Sequence, residues 1–383
     1  MPNTLGFYDP MFYAQEALIA LEKNLCFAAR IHRGYDASPQ QKGSTINISK
    51  PGTFVAQDAP NSTVQDVNTT GVSITLDQWK EVTFALSDKE LTFTKEKIIS
   101  DHIRPAAYAL ANQIDASLAS ALYKDLYTFN GTPGTAPSTV ADIVRARRLL
   151  QDNNVPDDGQ RHFACNTATE ENFLQLSIFN QNPAAGVGVE DVVKNGHLGS
   201  KFGMEIFASQ NIATHTSGDI AAGGGTIQVT SGASVGAATV TLKGSTGTLT
   251  GSLKYGDIIT FAGQTQTYVV TQTVVAAGNA AIIAISPALK ADVAANTVVS
   301  VKASHANNIA FHRNCFALAT APLSEMGAEL GGVKMASVAD MQSNLSIRSR
   351  MWYEGRTSKT YVSLDILYGF KTLDPAMGVR IAG

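Results

Sequence analysis

His312 and Cys315 stand three residues apart, a spacing that lets both side chains reach one metal ion. No second Cys/His pair completes a four-ligand site, so a buried polar contact is expected there and no metal. The other histidines of the seven are scattered along the chain. The acidic pairs Asp157-Asp158 and Glu170-Glu171 fall in a turn and in the first turn of a helix, where carboxylates favour the positive end of the helix dipole without any catalytic role. There is no Walker loop, and Gly186-Val187-Gly188 lacks the third glycine of a dinucleotide fold. A Gly-x-Ser-x-Gly nucleophile elbow is also missing. Two basic clusters remain. Arg145, Arg147 and Arg148 sit on one expected helix, with only Arg145 and Arg148 sharing a face. Arg348, Arg350, Arg356 and Lys359 surround Trp352 and Tyr353. Such a mixture can stack and neutralise nucleic acid, but interface salt bridges fit a net-acidic chain better. No catalytic constellation and no cofactor site emerges.

The elements that must position these residues are mixed. Residues Pro10 to Arg33 have the periodicity of an amphipathic helix, through Phe12, Ala17, Leu21, Leu25 and Ala28. Thr45–Ser49 and Val72–Leu76 alternate like strands on either side of a long polar loop, and Val82, Phe84 and Leu86 mark a third strand. An isolated arm of this kind is marginal in water, so completion by a neighbouring subunit is expected. From Asp101 to Tyr127, the residues Ile103, Ala107, Leu110, Ile114, Leu118, Leu122 and Leu126 form one apolar stripe, which predicts a helix about 38 Å long. Pro105 fits only its first turn. Further helices are predicted at Ser138–Gln151, capped by Ser138 or Thr139, and near Glu170–Leu176, capped at Asn166-Thr167.

Between Thr216 and Ala303 the composition changes abruptly. Six short β-rich runs separated by glycines replace the helical periodicity: 226–230, 238–242, 257–262, 267–273, 281–286 and 297–301. A small closed or sandwiched β-domain inserted into an α/β host is the expectation. The only charged side chains in this stretch are Asp219, Lys243, Lys254, Asp257, Lys290, Asp292 and Lys302. Across the whole 383-residue chain, 29 basic and 32 acidic residues leave a net charge of −3, and charged residues make up only 16% against 44% hydrophobic. A soluble protein typically carries about 25% charged residues. Global disorder is excluded, and so is a polycation that condenses nucleic acid. The three widely spaced cysteines form no disulfide framework and are expected as buried thiols in a reducing cytosol. Met1–Asp9 lacks a secretory leader pattern, and no run reaches the roughly 20 apolar residues of a membrane span.

The order of these elements resembles the HK97-like fold of tailed-bacteriophage major capsid proteins. More specific is Asn307-Asn308-Ile309-Ala310-Phe311-His312-Arg313-Asn314-Cys315-Phe316-Ala317-Leu318-Ala319, followed by Ala321-Pro322-Leu323, which is similar to the block that follows the insertion in podophage coat proteins with an extra β-domain. Lys254–Gly263, Ile283–Leu289 and Asp365–Arg380 extend the likeness over nearly the whole chain.

The resemblance implies an α+β subunit with seven parts. They are an N-terminal arm and helix (1–35), an extended β-hairpin loop (36–86), a peripheral domain (87–137) with its spine helix (101–127), and an axial domain (138–215). The inserted all-β domain (216–303), a second axial part (304–344) and a return to the peripheral domain (345–383) follow. It also implies a non-enzymatic virion protein that assembles with itself, with a scaffolding protein and a portal, around double-stranded DNA without sequence-specific binding and without a membrane. Lys50, Phe54, Val55, Trp79, Lys80, Arg145, Arg148, Arg348, Arg350 and Arg356 are the implied subunit contacts. Gly131, Gly134 and Gly331 are the implied hinges of a precursor that expands. Only Gly263-Gln264-Thr265-Gln266 joins two strands of the insertion, so a folding nucleus or surface knob is expected rather than a reaching arm. A cellular nanocompartment of the same fold enclosing a protein cargo is the alternative, and an adhesion module would fit the insertion alone.

Overall fold

The computed structural model describes residues 10–34, 45–49, 56, 64, 71–87, 99–180, 195–323, 333–340 and 345–383. Lys50, Phe54, Val55 and Gly331 lie outside the described residues. The chain divides into two compact units, one drawn from Met1–Leu25, His32–Ile114 and Phe316–Leu373, the other from Cys26–Ile31, Asp115–Cys315 and Asp374–Gly383. The fold is α+β.

In the first unit a five-stranded antiparallel sheet is built on the long strand Lys359–Thr372. Leu345–Glu354 and Phe316–Ala321 pair with successive halves of it, Gln78–Ser87 pairs along most of its length, and Val333–Asp340 follows Leu345–Glu354. The helix Pro10–Asn24 buries Tyr13, Ala14, Ala17, Leu18 and Leu21 and packs on the strands Val333–Asp340 and Leu345–Glu354. Thr45–Ser49 and Gly71–Thr75 form the expected two-stranded arm, Ile46 opposite Ile74. Its root is anchored, since Ile74 and Leu76 pack with Ala317, Ala319, Ala321 and Leu367. Gly369 permits this approach, because a Cβ there would lie 2.2 Å from the Thr75 carbonyl oxygen. The third strand expected in the arm instead joins the five-stranded sheet, where the long strand Lys359–Thr372 offers it ten paired positions.

The second unit holds a seven-stranded mixed sheet in the order Phe129–Asn130, Gly378–Ala382, His305–His312, Arg161–Cys165, Met204–Ala208, Ser200–Lys201, with Thr214–His215 pairing to the start of His305–His312. The helix Val140–Asp152 begins at a Thr139–Asp142 capping box and buries Ile143, Ala146 and Leu150. Asn166 caps Thr167–Leu174 through the Thr169 N–H. These helices cover Phe163, Ile206, Ala310, Val379 and Ile381.

The inserted segment forms all six expected strands, at Ile227–Val229, Thr239–Gly244, Ile258–Phe261, Thr267–Val270, Ala280–Ser286 and Val299–Val301. They hydrogen-bond in one sheet whose ends meet: Gln228 bridges Val298, and the Val229 N–H donates to the Thr297 carbonyl at 3.0 Å. Closure removes the exposed edges that so uncharged a β-domain would otherwise present. Val240, Leu242, Ile259, Phe261, Tyr268, Ile283 and Ile285 fill it.

Two further expectations differ from the structure. The helical stripe is buried at every named position, but the α-helix itself is Arg104–Ala121, about 27 Å at 1.5 Å per residue. A π-turn at Ile99–Ile103 precedes it and a 3₁₀ turn at Leu122–Asp125 follows it. The first helix stops at Asn24 rather than Arg33. Beyond it, the N–H groups of Cys26, Phe27 and Ala28 are held by the buried Asp115 carboxylate at 2.7, 3.2 and 2.9 Å, which turns the backbone into a 3₁₀ turn at Ala28–Arg30. Phe316–Leu373 lies in the first unit, and the chain then returns at Gly378–Ala382 to pair with His305–His312 in the second. The small alternating residues of 316–321 face the arm's root, a packing role that periodicity alone did not reveal.

Candidate functional site

Of the implied contacts, Trp79, Arg348 and Arg350 are brought together in the first unit. Arg348 and Asp365 are cross-strand partners, and the guanidinium grips the carboxylate at two points, Nη2 to Oδ2 at 2.5 Å and Nε to Oδ1 at 3.1 Å. Trp79 donates its indole N–H to the same Asp365 at 3.1 Å while a good part of its ring stays exposed. Arg350 reaches across the central strand Lys359–Thr372 to pair with Glu81 on Gln78–Ser87, and bonds Ser363 on the central strand at 3.2 Å. Asp365 is fully buried and Arg348 nearly so, and within this chain the pair ties two strands of one sheet together. Arg350 is likewise engaged within the chain.

Lys80 is half-buried on its strand, and Arg356 is exposed in the turn after Leu345–Glu354. Arg145 is exposed on the helix Val140–Asp152, and Arg148 pairs along that helix with Asp152 at 3.6 Å. Arg147 turns away from both, to Asp157 at 2.5 Å and to the Phe202 carbonyl. Gly131 and Gly134 both have left-handed backbone, with φ of 91° and 79°. A Cβ on Gly131 would sit 3.3 Å from the Ala382 carbonyl oxygen, whereas Gly134 faces open space.

His312 hydrogen-bonds Asp158 at 3.0 Å, and the Cys315 thiol points to the Asp374 carbonyl at 3.4 Å. Among the described residues, no group of three or more His, Cys, Asp or Glu side chains could hold a metal. Cys165 and Cys315 are buried and Cys26 partly so, all as free thiols. Burial pushes the Cys165 thiol up to about 12, so it is inert at neutral pH.

The densest cluster of functional groups in the second unit lies at the neck of the inserted barrel. The chain enters the barrel just after His215 and leaves it just before His305, and these two residues are cross-strand partners. Arg380, wholly buried on the strand Gly378–Ala382, donates to the Asn307 side-chain oxygen at 3.1 Å, to the Gly256 carbonyl at 2.6 Å and to His305 Nε2 at 3.1 Å. Its guanidinium lies 4.9 Å from the centre of the Tyr123 ring. His305 Nδ1 lies 2.7 Å from the Ala303 carbonyl oxygen, so the proton sits on Nδ1 and Nε2 is left to accept from Arg380. His215 bridges the Tyr123 hydroxyl at 3.1 Å and Asp257 at 2.7 Å. Asp257 also accepts from the N–H groups of Lys254 and Gly218 at 2.7 and 3.1 Å. Tyr255 donates to Asp125, and the Thr267 hydroxyl donates to the Tyr127 carbonyl at 2.5 Å.

Burial lowers the Arg380 pKa to about 10, still charged at neutral pH, and lowers that of His305 to about 4, the Arg380 charge adding to the effect. The neck therefore holds one buried cation, Arg380, balanced by one buried anion, Asp257. Tyr123, His215 and Asp257 have the order of a proton relay. Each is at most 4% exposed, so no substrate reaches them, and the cluster acts as a polar clasp between the barrel, the sheet and the 3₁₀ turn. In the sequence these histidines stand scattered. The signal that could have found them is position: His215 and His305 stand at the two boundaries of the composition change.

A model of a phage capsid protein family matches residues 69–238, a little under half of the chain. That segment runs from the arm's second strand through the long helix and five strands of the seven-stranded sheet into the barrel. A comparison with curated proteins finds no match. Among solved structures, the chain is similar to one from Mycobacterium phage Che8, with 15% identity, coverage of 93% of this chain and 90% of that one, and a TM-score of 0.48. It is also similar to the capsid structure of the cyanophage P-SCSP1u, with 12% identity, 94% and 88% coverage and a TM-score of 0.46. A virus-like particle from Pyrococcus furiosus follows at 9% identity, 96% and 97% coverage and a TM-score of 0.43. The family match bears out the resemblance to phage coat proteins. No helix among the described residues is long and apolar enough to cross a membrane.

Proposed function

We propose that this chain, which carries the phage capsid family match over residues 69–238, is a shell-building major capsid protein with no catalytic step of its own. Many copies form rings of five and six that close into an icosahedral shell around double-stranded phage DNA. Such rings need heterologous contacts, in which one surface docks on a different surface of the next copy. A scaffolding protein and a portal accompany assembly of a smaller precursor in the host cytoplasm, and the precursor then expands.

The family match is the observation that carries this reading. The composition agrees with it: only 16% of residues are charged, and surfaces destined for burial between subunits are depleted of charge. A net charge of −3 lets packaged DNA remain mobile, where a strongly basic lining would hold it by counterion release. Lys50, Phe54, Val55, Trp79, Lys80, Arg145, Arg148, Arg348, Arg350 and Arg356 are the contacts we assign to neighbouring copies, and Gly131, Gly134 and Gly331 the hinges. A nanocompartment around a protein cargo is not favoured, because the matching family is a phage one. Particles isolated from infected or expressing cells distinguish the two. Nuclease-protected double-stranded DNA inside them is the expected result, and an enclosed enzyme without DNA would overturn the phage reading.

A further inference from the structure

We propose that the neck of the inserted barrel is an acid-sensitive latch, in which protonation of His305 breaks its bond with Arg380 and loosens the barrel from the rest of its unit. The geometry carries this. His305 accepts from Arg380 through Nε2 only while that nitrogen is unprotonated, and its other nitrogen already donates to Ala303. A proton on Nε2 therefore removes an acceptor and places a second positive charge against a guanidinium that has no exposure to water.

The charged and titratable groups around His305 do not relieve that clash. On the facing strand stands His215, its ring centre 5.7 Å away and both its nitrogens already engaged, by Tyr123 and Asp257. Asp257, from the barrel, is held by His215 and two backbone N–H groups and already balances Arg380. From the 3₁₀ turn, Lys124 lies 5.9 Å from the centres of the Tyr123 and Tyr255 rings, and Asp125 is occupied by Tyr255. Lys302, on the strand leaving the barrel, lies over the Phe129 ring that packs edge-on against His305. Both carboxylates, Asp257 and Asp125, are thus committed to other donors while Arg380 bonds His305 directly, and a further proton on His305 adds uncompensated charge.

The consequence is directional. Gly256, whose carbonyl Arg380 holds at 2.6 Å, belongs to the barrel, so a displaced guanidinium releases the turn that also carries Asp257. Val240, Leu242, Ile259, Phe261, Ile283 and Ile285 pack the barrel into an apolar core, with Asp257 at its neck, so the six-stranded sheet should persist while the neck opens. Because the folded pKa of His305 is about 4 and the unfolded value about 6.5, the group's contribution is complete above about pH 6.5 and is lost as pH falls towards 4. The inference rests on the neck alone and stands whether or not the chain builds shells.

Hydrogen–deuterium exchange of the full chain tests it, with rates corrected for the intrinsic pH dependence of exchange. Between pH 7.5 and pH 5, exchange at Thr214–Gly218 and Lys254–Asp257 should accelerate by about tenfold or more, while Thr239–Gly244 and Ala280–Ser286 change little. His305→Gln can still accept from Arg380 and donate to Ala303 but cannot titrate, so it should abolish the acceleration. Equal acid sensitivity in His305→Gln, or no acceleration in the unsubstituted chain, would overturn the latch. Should that variant not fold, titration of the His305 imidazole by NMR in the unsubstituted, isotopically labelled chain decides. A midpoint well below 6 supports the proposal, and one near 6.5 refutes it.

Discussion

At Asp365, one buried carboxylate gathers Arg348, Trp79 and Arg350 from both flanking strands. Removing it strands a guanidinium that is almost without water. Asp365→Ala should therefore lower unfolding free energy by about 3–5 kcal/mol, while the double substitution Arg348→Met with Asp365→Leu should recover most of the loss. Denaturant unfolding of the soluble subunit measures both, and a near-neutral Asp365→Ala would show that the pair is not stabilising its sheet. Asp115 is the counterpart in the second unit. Burial raises its carboxyl pKa despite three N–H donors, so the folded state holds a proton there more tightly than the unfolded chain. Stability from this residue rises as pH falls, opposite in sign to His305. Little at this scale was legible beforehand. The residues that meet at Asp365 lie up to 286 positions apart in sequence, and a charge cluster near Trp352 reads the same whether its partners are in this chain or another.

Elements were more legible, because periodicity is local. The stripe from Ile103 to Leu126 follows from spacing and is buried at every named position, and the six strands of the insertion form at the runs that composition marks. Which sheet an element joins is not a local property. The strand Gln78–Ser87 alternates just as an arm strand would, but a partner 14 residues long captures it. The return strand Gly378–Ala382 is short and was hidden behind a Pro-containing turn. The root of the arm depends on backbone closeness at Gly369, where any Cβ must displace the Thr75 carbonyl. Gly369→Ala should detach the Gly71–Thr75 strand from the sheet beneath it. Increased exchange at Ile74 and Leu76 with an otherwise unchanged core would be the signature. An unaltered exchange pattern would mean that the approach is not required.

For the whole molecule, the low charge is shared between two causes. The insertion covers itself with Thr, Ser and Gly and closes its own edges, and the rest of the deficit belongs, on the capsid reading, to surfaces that neighbouring copies cover. Deleting residues 51–67 should leave a folded, soluble subunit that no longer assembles. Normal assembly of that variant would contradict the role given to the arm. The central claim, that this chain builds a closed shell, is tested most directly by electron microscopy of the purified full-length protein, alone and co-expressed with its scaffolding protein. Uniform closed particles on the order of hundreds of ångströms across are the predicted result. Only monomers or small oligomers under both conditions would contradict it.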